Sequence, residues 1–169
     1  MALNEIAELV ARVAELERRL AGTMRHGTVA EVDISTYRVR MDFGEGTEGE
    51  TLLSPWVPYA QIAGALKVHT PPSVGQQLSL FAPTGDWRQA VALPLTWSDQ
   101  IESPSGSGDE HVLDFGSVNI VLTSDGLTIT IGGMTATLAA TGLTVAQGNI
   151  AVETGDLTAT GGVVEHNGT

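Results

Sequence analysis

The chain has 169 residues, 42% of them apolar, and no cysteine, which excludes disulfides, thiolate metal sites and cysteine nucleophiles. Its net charge is −12, and all eight Lys and Arg lie at or before Arg88. Residues 1–88 set eleven acids against these eight bases, whereas residues 89–169 hold nine acids and no base, so binding to nucleic-acid phosphates or anionic lipid is disfavoured.

No stretch approaches the roughly 18 consecutive apolar residues of a membrane span. Glu5 and Glu8 interrupt the first apolar stretch, so a signal peptide is not expected and synthesis in the cytoplasm is. Residues 3–21 predict a helix. Ile6, Leu9, Val13, Leu16 and Leu20 are spaced 3-4-3-4, an a/d heptad seam, with Asn4 as the expected N-cap and Gly22 as the expected stop. Arg12 and Glu17 take g and e positions, suited to an interchain pair. A short coiled coil over residues 1–22 is favoured over an amphipathic helix packed on its own domain. At under three heptads it needs help from the rest of the chain.

Residues 23–97 predict a small β-barrel. His26–Asp33 and Tyr37–Phe43 form strands around a turn at Ile34-Ser35-Thr36. The glycine- and acid-rich residues 44–50 form a loop. Ser73–Phe81 and Gln89–Leu93 are further strands, parted by a turn at Pro83-Thr84-Gly85-Asp86. With a helical stretch expected around Tyr59–Gly64, an OB-fold fits best. Residues 98–110, with Ser103-Pro104-Ser105-Gly106-Ser107-Gly108 at their centre, read as a linker.

Residues 111–169 hold eleven Thr and ten Gly and a single aromatic, Phe115. Short alternating stretches point to strands at Val118–Leu122, Leu127–Ile131, Leu143–Val145, Ile150–Val152 and Leu157–Ala159. Gly126-Leu127-Thr128 recurs as Gly142-Leu143-Thr144, and more loosely as Asp156-Leu157-Thr158, which suggests one repeated rung. Apolar residues would share one face and Thr the other. A lone chain would leave that face wet and its strand edges unpaired. Three chains wound about one axis, each strand pairing with a neighbouring chain, are preferred over a single-chain parallel β-helix.

Met24-Arg25-His26-Gly27-Thr28-Val29-Ala30-Glu31-Val32-Asp33 with Arg38-Val39-Arg40, then Trp56-Val57-Pro58, then Pro72-Ser73-Val74-Gly75-Gln76-Gln77-Leu78 with Gly85-Asp86 and Gln89-Ala90-Val91, carry a resemblance. In these stretches and in the order of its parts the chain resembles the phage baseplate assembly protein V family, the central spikes of contractile tails and pyocins. The resemblance implies a mainly β homotrimer: N-terminal coiled-coil helix, OB-fold collar and C-terminal intertwined trimeric β-helix, a needle over residues 111–169. It implies a virion tail location, partners in a baseplate hub and other tail proteins, and transient contact with the host outer membrane on sheath contraction. The trimerisation residues would be Ile6, Leu9, Val13, Leu16 and Leu20 in the helix and Ile120, Leu122, Leu127, Ile129, Ile131, Leu143, Val145, Ile150, Val152 and Leu157 in the tail. Family members often hold apical iron with a His-x-His pair. Only His166 stands in Glu165-His166-Asn167-Gly168-Thr169, so no cofactor is expected. A three-His166 metal site and a separate tip protein are the alternatives for the apex.

No catalytic signature accompanies these features. His26, His69, His111 and His166 lack metal-ligand spacing, and residues 44–50 lack the Gly-Lys-Ser/Thr of a phosphate loop. Asp109-Glu110 lies in the linker, where there is no room for an inserted lysozyme domain, and no Gly-x-Ser-x-Gly motif is present. The expectation is a structural protein, not an enzyme. The alternative is an OB-fold glycan-binding module on a trimeric stalk, with Trp56, Trp87 and Trp97 lining a sugar site.

Overall fold

A helix, α1 (Ala2–Thr23), runs directly into the first strand, β1 (Met24–Asp33). In this computed structural model residues 2–46 and 49–151 are described. They fall in two compact units, Met1–Ser103 and Pro104–Thr169. The helix is built from strong helix formers without proline, and its Glu15 carboxylate accepts from Arg18 and Arg19 at 2.8 and 2.7 Å. It begins before Asn4 and passes through Gly22, so neither residue ends it as expected. Its last carbonyls are satisfied from outside: the Trp87 indole N–H donates to Gly22 O at 3.2 Å and Ala82 N–H to Thr23 O at 2.8 Å. A left-handed glycine stop is therefore not needed.

In the first unit β1 pairs antiparallel with β2 (Arg38–Glu45) on one side and β5 (Gln77–Phe81) on the other. β2 also pairs with β3 (Thr51–Leu53) and with β4 (Val57–Pro58), and β5 pairs with β6 (Val91–Pro94). Tyr59, just after β4, bridges Ala92 of β6, so the sheet closes on itself in the manner of an OB barrel. Val29, Val39, Met41, Val57, Leu78 and Leu80 fill the interior, each at most 2% exposed. Buried Ser54 is fully used, accepting from Met41 N–H at 2.9 Å and donating to Pro55 O at 2.7 Å.

Three expectations fail here. Tyr59–Gly64 is not helical. Tyr59 is held by the β6 bridge, and the Gln61 side chain staples the following loop to the Thr70 backbone at 2.8 and 3.0 Å. The strand expected from Ser73 begins at Gln77, because Gly75 turns the chain at φ +86°. Likewise Gln89 closes a 3-10 turn, Trp87–Gln89, before β6 begins.

In the second unit five strands form one antiparallel meander: β7 (Glu110–Phe115), β8 (Val118–Thr123), β9 (Gly126–Ile131), β10 (Met134–Ala139) and β11 (Gly142–Ala146). Each starts eight positions after the last, six residues or fewer of strand and then a turn. The repeat seen at Gly126 and Gly142 is thus every second strand. These strands pair within their own chain: β8, β9 and β10 have both edges taken, and the described tail is antiparallel, unlike a parallel β-helix. Glu110, expected in the linker, already belongs to β7, and Ile150 lies outside any strand. Val152, Leu157 and His166 lie outside the described residues.

Candidate self-association surfaces

The register of the meander fixes which side chains share a face, since residues opposite one another across a strand pair point the same way. One row runs Leu113, Ile120, Ile129, Ala136, Val145 across the five strands. The next row is His111, Leu122, Leu127, Leu138, Leu143, and a third is Phe115, Val118, Ile131, Met134. Only His111 interrupts this apolar face. The other face carries Val112, Val121, Thr128, Thr137 and Thr144 in its middle row, with the Thr128 and Thr137 hydroxyls 3.4 Å apart.

Seven residues singled out in the sequence, Ile120, Leu122, Leu127, Ile129, Ile131, Leu143 and Val145, are therefore brought together on one face. Sequence reasoning missed Leu113, Phe115, Met134 and Leu138 of the same face. Their signal was present, as the eight-residue spacing and the alternation Met134-Thr135-Ala136-Thr137-Leu138.

In the described part of this unit the face is largely uncovered, with Gly148 close against Met134 at one corner. No described residue from Pro104 onward is buried, and Phe115 is 87% and Leu113 71% exposed. Fully burying each such side chain is worth about 1.5–3 kcal/mol. Contiguous exposed apolar faces of this kind are characteristic of interaction sites.

The helix repeats the theme. Ile6, Leu9, Val13, Leu16 and Leu20 are all exposed, Leu20 at 75%, and form one stripe along α1. Glu15 lies on the opposite side, its carboxyl held down at about 2 by hydrogen bonds from Arg18 first and then Arg19.

The remaining candidates do not converge. His26 Nδ1 sits 2.8 Å from Ser79 Oγ, and His69 meets the Tyr37 ring edge-on at 6.4 Å. Among the described residues no three His, Asp or Glu side chains gather as metal ligands. Trp87 packs against Phe43 at 4.9 Å between ring centroids, Arg40 lies over Trp56 at 5.9 Å, and Trp97 is exposed. No helix of the described residues is long and apolar enough to cross a membrane.

The first unit is a closed barrel of the OB type with a helix before it. Residues 25–97 match the family described as the Type VI secretion system/phage-baseplate injector OB domain. The chain is also 31% identical over 101 residues to the Spike protein of Escherichia phage P2. That match covers 59% of this chain and 45% of the phage protein, a little under half of the relative's length. Both matches bear out the resemblance to baseplate spikes and injectors that the sequence carries, over the OB-type unit in particular.

Proposed function

We propose that the chain is the structural central spike of a contractile tail or tail-like particle, a homotrimer that pierces the host outer envelope when the sheath contracts. One observation carries the reading: the meander behind the OB domain is apolar on one face and has no described buried residue. In the homotrimer three such faces meet on the axis, and the outer edges of β7 and β11, unpaired among the described residues, pair between chains. The α1 stripes form the second contact, a short coiled coil that follows the trimer number set by the tail. The role is mechanical, not catalytic. Its partners are a baseplate hub and other tail proteins, its place is the virion tail, and no cofactor is required.

The two faces of β9 give the test. Ile129→Asp puts a charge on the apolar face and should abolish the trimer. Thr128→Asp, one residue away on the other face, should leave it intact. Equal behaviour of the two variants in sedimentation would sink the proposal.

A further inference from the structure

Where α1 runs into the barrel there is a cleft of about 800 Å³. Four of the chain's eight basic side chains, Arg18, Arg19, Arg25 and Arg88, line it beside Trp87. In a chain of net charge −12 this concentration of cations in one place calls for a reason.

The cleft is built, not incidental. Trp87 is fixed by its hydrogen bond to Gly22, and Gly22 and Gly85 approach so closely that a Cβ on Gly85 would stand 2.6 Å from Arg19 O. Arg25 is held over two rings, its guanidinium carbon 5.6 Å from the Phe43 centroid and 5.5 Å from that of Trp87. Asp86, the one acid in the wall, has a carboxylate oxygen engaged by Arg88 N–H at 3.0 Å. Glu15 engages Arg18 and Arg19, while no carboxylate of the described residues pairs with Arg25 or Arg88.

Its position matters equally. With Ile6, Val13 and Leu20 at a and Leu9 and Leu16 at d, Arg18 falls at f and Gly22 at c, the side away from the seam, and Arg19 at g on its flank. Self-association through the seam leaves the cleft open to the outside. The cleft is made within one chain, so it does not depend on trimerisation.

We propose that this cleft docks an acidic segment of another protein, whose Asp or Glu carboxylates pair with Arg25 and Arg88. Planar guanidinium groups suit bidentate pairing with carboxylates. A short acidic segment reaches the cleft alone, whereas a long polyanion would also meet the repulsion of the acidic remainder of the chain.

The test is calorimetric titration of the full chain with a hexaglutamate peptide at low ionic strength, with the mass of the same sample measured alongside. The expected result is saturable binding, one peptide per chain. Arg88→Glu should weaken it at least about tenfold, since truncating or reversing one partner of a charge pair has effects of that order. Arg38→Glu, on the barrel near Trp56, should leave it unchanged. Arg88 is exposed, so its variant is expected to fold, and a native circular dichroism spectrum confirms that; Arg25→Glu is the second variant. Absence of hexaglutamate binding, or equal loss in the Arg38 variant, overturns the proposal. So does tighter binding of tripolyphosphate or oligothymidylate to the same cleft, which would assign it to phosphate. A monomeric mass with binding intact would end the trimer reading and leave this one standing.

Discussion

Gly27 sits where β1 passes β2 so closely that a Cβ would run into the Asp42 carbonyl oxygen and the Phe43 ring. Backbone cannot yield as a flexible side chain can, so Gly27→Ala should cost about 1–3 kcal/mol, the range for overpacking a tight site. Urea unfolding measures it, and an unchanged midpoint would mean the strands part freely. Tyr59 predicts the reverse. It is 6% exposed and its hydroxyl has no hydrogen-bond partner among the described residues. Removing an unsatisfied buried hydroxyl releases a desolvation penalty, so Tyr59→Phe should be neutral or stabilising by about 1 kcal/mol. A clear loss of stability would contradict that. At the first hairpin Asp33 accepts from the Ser35 and Thr36 hydroxyls at 2.6 Å each, and these bonds, Ser35 first, hold its carboxyl below its ordinary value.

At the scale of elements, α1 has a built-in acid sensitivity. The Glu15 carboxyl is lowered from 4.5 to about 2 in the folded chain. A lowered folded value means the ion pairs support the helix above the unfolded value and lose that support as pH falls towards the folded one. Helical circular dichroism should therefore decline between pH 4.5 and about 2. Glu15→Gln should remove that part of the decline; an identical acid profile in the variant would show the pairs contribute nothing to the helix. The helix, the first hairpin and the one-sided tail were legible because heptad spacing, alternation and turn residues are local signals. β7 and β10 carried the same signals more faintly. β7 abuts a Ser/Gly-rich stretch, and β10 has small face residues such as Ala136 and ends in an Ala140-Thr141 turn that itself contains no glycine. Tyr59 misled because its conformation is fixed by Ala92, 33 positions away, a contact no local pattern announces.

For the whole molecule, charge decides what kind of attraction can hold copies together. Residues 89–169 carry nine acids and no base, so neighbouring tails repel and ion pairs between them are not available. Association must rest on the apolar face, and salt should strengthen it by screening the repulsion. Sedimentation at low and high salt checks this, and dissociation at high salt would point instead to ion pairs. The pattern of this face was readable from the sequence, but the pairing was not: alternation gives the face of a strand, while its partner strand is settled by turn length. The arginine cleft was not legible either, because Arg18 and Arg88 come from distant parts of the chain.

The central claim is that copies of this chain cover the apolar face of its meander. Mass in solution, taken together with an image of the same sample, tests it most directly. The expected mass is about 53 kDa, three times the 17.6 kDa chain, in a thin tapering rod. A globular monomer of 17.6 kDa would contradict it.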